Sequence, residues 1–459
     1  MEKVFHFMLV YFHFLFKTTI PFIPSFLHRS AKGQNRKMLS DHPRSKDLIF
    51  MPVDFFILLK YTPLEMPGKL NFLSGKKYKG RREMLGERKC RGIPKLELDT
   101  PCLVITKEIL EQNIEAMQTH ATSFGKQLRP HAKTHKCSQI AKMQMEAGCA
   151  GICVAKVSEA EVLLNKGFQG VLITSPVVTN YKIERLMECL SHDPKLMVVV
   201  DNAANARRLD EAASKYGLKL NALVDLDPGM GRTGVSFKEG LAMGGLINSL
   251  PGLSLSGVQC YAGHVQHISS FEERYRASLD WMNRAAEVVR QFRRSGLPCD
   301  IFTGAGTGTY EIDCRVPELT DLQVGSYTMM DTDYLNIGSS QNPSHFDKFP
   351  PALTLLTTVI SVNQPNFVTV DAGLKALYHH GGTPHVLRSS FSGLQYEWWG
   401  DEHGRILLPN PSKKPSIGEV LELVVSHCDP TVNLFDFFYV TRNEVVTEIW
   451  PIDLRGKCQ

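Results

Sequence analysis

The strongest constraint on this chain is a repeated change of texture between residues 128 and 328, where eight short apolar runs alternate with amphipathic stretches. The runs fall at 128–133, 151–155, 170–175, 196–201, 221–227, 257–263, 301–304 and 322–328. Strand-length runs separated by helix-length segments specify a parallel β/α protein, because each strand needs a long crossover to return in the same direction. Eight is the number a (β/α)8 barrel requires. The predicted fold class is therefore α/β, a TIM-type barrel. Ser158-Glu159-Ala160-Glu161 ahead of Val162-Leu163-Leu164 reads as a capped helix start, and 205–216 and 271–295 show helical periodicity with charged outer faces. Only the seventh connection, 310–321, lacks a clear helix.

The texture changes after about residue 335. Apolar runs at 352–362, 367–370, 406–408, 420–425 and 437–442 are joined by Pro, Gly and Asn loops with no long helix between them. The barrel is assigned to 98–335 and a C-terminal antiparallel β domain to 336–456. The first 90 residues stand apart. Between Lys3 and Ser40 there is no Asp or Glu, whereas Lys17, Arg29, Lys32, Arg36 and Lys37 are present, the charge bias of a targeting peptide. An untranslated or misassigned extension gives the same picture. The compartment expected is cytoplasmic, or organellar if this segment is a transit peptide. The apolar run 4–16 is shorter than the roughly 20 residues of a spanning helix, so no stable membrane insertion is expected.

Charge and cysteine usage narrow the function classes. The net charge of +5 is modest, and much of it sits in stretches such as Lys76-Lys77-Tyr78-Lys79-Gly80-Arg81-Arg82, so nucleic acid is not an expected partner. Eleven Cys, an odd number with no CxxC pair, speak against a disulfide framework and a zinc knuckle. Free thiols in a reducing compartment fit better.

Chemistry-bearing residues cluster at the ends of the strand runs. Arg129-Pro130-His131-Ala132-Lys133-Thr134-His135-Lys136 ends the first, and extended geometry places Arg129, His131 and Lys133 on one face. A lysine at the C-terminal end of a barrel strand is placed to act as a nucleophile, although a solvated basic loop would read the same in isolation. Asp225-Leu226-Asp227-Pro228-Gly229-Met230-Gly231-Arg232-Thr233-Gly234 ends the fifth strand and Gln259-Cys260-Tyr261-Ala262-Gly263-His264 the sixth. Thr303-Gly304-Ala305-Gly306-Thr307-Gly308-Thr309 follows the seventh, and Gly325-Ser326-Tyr327 closes the eighth. Loops after strands seven and eight are where barrel enzymes commonly bind phosphate.

These motifs, with Asp371-Ala372-Gly373 and Ser426-His427-Cys428-Asp429-Pro430-Thr431-Val432-Asn433-Leu434, make the chain from about Leu98 to Pro451 resemble one family. It is the metal-activated branch of the alanine-racemase-type pyridoxal-phosphate enzymes, which contains D-threonine aldolases, D-serine dehydratases and 3-hydroxy-D-aspartate lyases. The resemblance implies Lys133 as the Schiff-base lysine, with Lys136 the competing candidate. It implies Arg232 at the cofactor's phenolic oxygen, Tyr261 near the pyridine ring and His264 close by. Thr303, Gly325 and Ser326 match cofactor-phosphate positions and Gly306, Thr307 and Tyr327 are further cofactor-binding candidates, with Ala305 where a glycine is often seen. A homodimer joining the barrel of one subunit to the β domain of the other is implied as well.

His427 and Asp429 bracket Cys428 after the run 420–425; if extended geometry continues, both face one side. Imidazole plus carboxylate suits manganese, magnesium, calcium or zinc and leaves positions for water and a substrate oxygen. The family's D-serine dehydratases resemble His-x-Cys here, so His-x-Asp favours carbon–carbon cleavage of a D-3-hydroxy amino acid over water elimination. The alternatives are a D-serine or 3-hydroxy-D-aspartate dehydratase, a racemase and a non-catalytic cofactor carrier. His403, in Glu402-His403-Gly404, is a further candidate for the rim.

Overall fold

Backbone hydrogen bonds sort the strands into two sheets in a computed structural model, which describes residues 90–379 and 381–459. The readings of the N-terminal extension lie outside the described residues. β1 (Cys102–Thr106) and α1 (Lys107–Ser123) come first. The barrel strands follow as β2 (Gln127–Leu128), β3 (Cys153–Val154), β4 (Leu172–Ile173), β5 (Met197–Val200), β6 (Leu220–Leu226), β7 (Leu253–Cys260), β8 (Ile301–Gly304) and β9 (Asp321–Leu322). All neighbours are parallel, in the order β2-β9-β8-β7-β6-β5-β4-β3. The gap between β2 and β3 closes beyond the end of β2, where Ala132 N–H donates to Cys153 O and Cys153 N–H to Pro130 O, both at 2.8 Å. The α/β barrel read from the sequence is present.

Between the strands run α2 (Ser138–Glu146), α3 (Val157–Leu164), α4 (Asn180–His192), α5 (Ala203–Lys215), α6 (Gly240–Ser249), α7 (Phe271–Arg294) and the four-residue α8 (Tyr310–Asp313) in the seventh connection. Local chemistry sets their ends. Ser270 Oγ accepts from Glu273 N–H at the start of α7, with Glu272 and Glu273 in its first turn and Arg293 and Arg294 in its last, matching the helix dipole. Glu159 reaches back from α3 to accept the N–H groups of Ala155 and Lys156 (2.8 and 3.1 Å), so the helix starts one residue before the sequence signal.

The period-two alternation of the strands divides the barrel interior along its axis. Cys153, Leu172, Met197, Val199 and Leu223, with Ile301 beside them, form an apolar cluster. Polar groups replace them toward the C-terminal ends: Arg129 pairs with Asp321 (3.7 Å), Gln323 Nε2 donates to Gln259 Oε1 (3.0 Å), and Gln259 Nε2 to Asp225 Oδ1 (2.9 Å). A bulge between β6 and β7 requires Gly257, at φ +142°, where a Cβ would lie 1.8 Å from Ile301 O.

The second sheet comprises β1 with β10 (Leu353–Ser361), β11 (Phe367–Val370), β12 (His385–Arg388), β13 (Gln395–Trp398), β14 (Gly404–Leu407), β15 (Val420–Val424), β16 (Phe437–Arg442) and β17 (Val445–Pro451). Two short helices, α9 (Thr332–Leu335) and α10 (Cys428–Val432), stand where barrel and sheet meet. Three expectations change. The sequence assigns the barrel from residue 98, but β1 pairs antiparallel with β10 and parallel with β16, so the sheet takes a central strand from ahead of the barrel. The strand expected over 322–328 is only Asp321–Leu322, because 326–328 turns as a 3-10 helix. β1, β12, β13 and β17 are not among the strands expected from the sequence; β12 is largely exposed and lacks a buried alternation to read.

Candidate active site

The C-terminal ends of the barrel strands enclose a cavity of about 300 Å³, within the size range of small-ligand sites. Lys133, Arg232, Tyr261, Gly306, Thr307, Gly325 and Ser326 all line it, joined by His131, Thr134, Gln259, Gln323 and Tyr334 among others. After β2 the chain turns, so that Lys133 points into the cavity while Lys136, at φ +47°, directs its amine to the buried Glu159 at 2.5 Å. Lys136 does not line the cavity. His131 lies beneath Lys133: its Nε2–H donates to Thr174 Oγ1 (3.0 Å), whose hydroxyl donates onward to Val154 O, and its Nδ1 accepts from Lys133 N–H (3.3 Å). Burial, together with the Lys133 charge, holds the His131 pKa well below the ordinary imidazole value, so the ring is neutral.

At the mouth, Lys133 Nζ donates to Asp429 Oδ1 across the junction with the sheet. Burial alone would depress the lysine pKa, but the Asp429 carboxylate outweighs it and raises the ammonium above its usual range. Burial would raise Asp429, yet Lys133 and His427 bring it below the ordinary carboxylate range. His427 Nδ1–H donates to Asp331 Oδ2 at 3.0 Å. Against a burial effect that lowers it, the Asp331 hydrogen bond and the Asp429 charge bring the His427 pKa up to about 9. The strand does not continue through this segment. β15 stops at Val424, His427 is still extended, and Cys428 begins α10, so Asp429 turns toward Lys133 while Cys428 Sγ–H is buried against Met330 O.

The loops after β8 and β9 form a cradle. A Cβ at Gly306 would lie 2.4 Å from Gln266 Oε1, and one at Gly325 2.5 Å from Thr134 Oγ1, so both positions admit only glycine without displacement. The backbone is held from behind: Gln266 accepts Gly308 N–H (3.0 Å), the buried Arg274 donates to Gly308 O (2.8 Å), and Thr307 Oγ1 accepts Tyr327 N–H (3.1 Å). Ala305 sits at φ +64°, where an L side chain costs roughly 1–2 kcal/mol. The Arg232 loop is tied by Asp227, which accepts Met230 N–H, and by Asp201, which accepts Gly234 N–H; its guanidinium lies 5.6 Å from the Tyr261 ring centroid.

Residues 105–333 match the family model "Alanine racemase, N-terminal domain", and residues 352–441 match "Putative serine dehydratase domain". A D-threonine aldolase of Arthrobacter sp is 40% identical over 366 residues, covering 80% of this chain and 95% of that protein. The chain belongs to the D-threonine aldolase / D-serine dehydratase-like family. A 3-hydroxy-D-aspartate aldolase of Paracoccus denitrificans (strain Pd 1222) is 36% identical, covering 80% of this chain and 94% of that one. The crystal structure of D-threonine aldolase from Filomicrobium marinum superposes with a TM-score of 0.77 at 35% identity, over 80% of this chain and 98% of that one.

Not every residue proposed from the family resemblance reaches the cavity. Thr303 is fully buried inside the barrel, paired in register with Gln259 and Asp321, because the alternation of β8 turns it inward below the rim. Tyr327 is also fully buried; its hydroxyl accepts from Gln144 Nε2 (2.9 Å) and its ring packs on Phe349. His264 is exposed on a 3-10 turn, with its ring edge-on to Trp281. His403 is exposed between β13 and β14. Asp331 was missed; its only sequence signal is that of a helix N-cap, with Oδ1 accepting Tyr334 N–H.

The family implies a cofactor and a metal, and both fit. The cradle, the Lys133 amine and the buried Thr134 Oγ1, which lacks a hydrogen-bond partner, suit a phosphorylated aldehyde. Asp429 Oδ2 is likewise buried without a partner, beside an imidazole whose Nδ1 is engaged. Among the described residues no group of three or more His, Cys, Asp or Glu converges on one point. Two protein ligands suit a hard cation that keeps waters and takes a substrate oxygen, not a closed structural zinc site.

Proposed function

We propose that this chain is a pyridoxal-phosphate- and divalent-metal-dependent lyase that cleaves D-3-hydroxy amino acids, converting D-threonine to glycine and acetaldehyde. The observation that carries the reading is the contact of Lys133 with Asp429, beside His427, at the mouth of a cavity whose far wall is a glycine cradle. Bound pyridoxal phosphate supplies an electron sink, and a bound manganese, magnesium or zinc ion lowers the pKa of an alcohol.

The residues divide the work. Gly306, Thr307, Gly325 and Ser326 would hold the phosphate, Arg232 and Tyr261 the ring, and Lys133 Nζ the aldehyde carbon. His427 Nε2 and Asp429 would hold the cation where a substrate 3-hydroxyl enters. In the absence of cation and cofactor, Asp429 pairs with the Lys133 ammonium and holds its proton. Gln323, Gln259 and Asp225 fix the cavity floor as a hydrogen-bonded chain, and neutral His131 offers Lys133 no competing charge. A carboxylate at 429, in place of a thiolate, favours a hard cation on the hydroxyl and hence scission of the Cα–Cβ bond. On this reading the enzyme works as a homodimer on a small-molecule substrate.

Purified protein incubated with D-threonine, pyridoxal phosphate and Mn²⁺ is expected to release acetaldehyde and glycine in equal amounts, and to stop on adding chelator. 2-Oxobutyrate with ammonia would establish a dehydratase instead, and L-threonine alone a racemase.

A further inference from the structure

We infer that Asp331 is a positioning residue for the metal site: it fixes the His427 ring so that Nδ1 carries a proton and Nε2 presents its lone pair to a divalent cation. The inference rests on the reading of His427 and Asp429 as the cation's ligands, and goes beyond it by naming what orients one of them.

Asp331 is completely buried, and its two oxygens do different things. Oδ1 accepts Tyr334 N–H (3.1 Å) and caps α9. Oδ2 accepts both Cys428 N–H (2.9 Å) and His427 Nδ1–H (3.0 Å). A carboxylate oxygen can only accept, so the proton on this contact belongs to the imidazole. A helix cap needs one oxygen; the second is turned toward a side chain and an N–H on a segment 96 to 97 residues away in sequence.

The backbone around Asp331 is shaped to make that reach possible. Met330 adopts φ +55°, a left-handed turn for a side chain that ordinarily avoids it, and its carbonyl accepts Cys428 Sγ–H (3.3 Å). Thr332 N–H then donates to Val425 O (3.0 Å) and Asp333 N–H to Ser426 O (3.2 Å). The segment leaving β9 is thus laced to the segment leaving β15 on both sides of the Asp331–His427 contact. Barrel and sheet each bring one member of the pair, so the contact sets the ring relative to Lys133 and not only within the sheet. Histidines that bind metals usually donate their other N–H to such a carboxylate, and its loss typically costs about 10- to 100-fold in metal affinity.

The test is a titration of pyridoxal-phosphate-loaded protein with Mn²⁺, reading free Mn²⁺ by electron paramagnetic resonance. Asp331→Asn should bind Mn²⁺ about 10- to 100-fold more weakly, keep its cofactor absorbance, and regain most of its turnover when Mn²⁺ is raised to saturation. A folded Asp331→Asn with wild-type Mn²⁺ affinity overturns the inference. Wild-type protein that binds no Mn²⁺ overturns the ligand assignment and this inference with it, and is told apart by that fact. Should Asp331→Asn not fold, the wild type still decides. ¹⁵N-histidine spectra of the Zn²⁺-loaded protein, with the His427 signal identified by its absence in His427→Gln, should show protonated Nδ1 and metal-bound Nε2. Metal on Nδ1 would refute the inference.

Discussion

Arg129 and Lys133 come from one short stretch of chain and each meets a carboxylate, but the two pairs are built to opposite ends. Arg129 and Asp321 sit 3.7 Å apart with side chains only 6% and 4% exposed, and both come from barrel strands or their continuations. Arg129 Nη1 also donates to Gly170 O at 2.8 Å, and a Cβ at Gly151 would lie 2.3 Å from the same nitrogen, so the site is closed around it. The Lys133 side chain is 41% exposed to the cavity, and its partner Asp429 arrives from the sheet with one oxygen unpartnered. The inner pair is sealed in the barrel, where Arg129 Nε and Asp321 Oδ1 also lack a hydrogen-bond partner but do not line the cavity, and the outer one opens on the cavity through Lys133. A buried ion pair is thus a sign of function only where one of its members still faces space that a ligand can enter.

Breaking each pair separately should give different symptoms. Lys133→Ala is expected to lose on the order of 10³-fold or more in D-threonine cleavage and to take up no borohydride-stable phosphopyridoxyl label, while its circular dichroism remains that of a folded barrel; labelling at the wild-type level would contradict the assignment. Arg129→Met strands Asp321 in the barrel interior and should cost about 3–5 kcal/mol in urea unfolding. A cost below about 1 kcal/mol would show the inner pair to be dispensable.

A third carboxylate sharpens the contrast because it has no cation. Asp313 is buried and accepts the hydroxyl protons of Ser278 and Thr309, both at 2.6 Å; burial raises its pKa to about 6. The unfolded chain ionises Asp313 near the ordinary value of about 4, while the folded chain resists until about 6. The folded state therefore loses stability as pH rises through that window and is level above it. Relative to wild type, Asp313→Asn should gain about 1–2 kcal/mol between pH 4.5 and pH 7.5; an unchanged difference would mean that the carboxyl is not penalised. The smallest effect is expected at the rim. His264→Ala, outside the cavity, should change kcat/KM by less than about twofold, whereas a larger loss would return His264 to the site.

The barrel was legible because eight strands impose eight apolar runs, and burial on both faces leaves little else those runs could be. The position of β1 was not, since Cys102–Thr106 looks like any buried strand, and only its partners β10 and β16, more than 240 residues downstream, assign it to the other sheet. At the site, glycines whose Cβ would collide and a lysine at a strand end carried the signal. Thr303 and Tyr327 belong to the right motifs but face inward, because a motif fixes sequence neighbours and not the side of the strand or turn on which each one lies. The N-cap signal of Asp331 says nothing of His427, since that contact exists only once barrel and sheet are joined.

The central claim is that the Lys133 amine forms an imine with the cofactor's aldehyde. Reducing the pyridoxal-phosphate-loaded protein with borohydride and sequencing its digest by mass spectrometry tests this most directly. The account predicts a single phosphopyridoxyl-modified peptide, with the added mass on Lys133. The same mass on Lys136 or Lys156, or on no lysine, would contradict it.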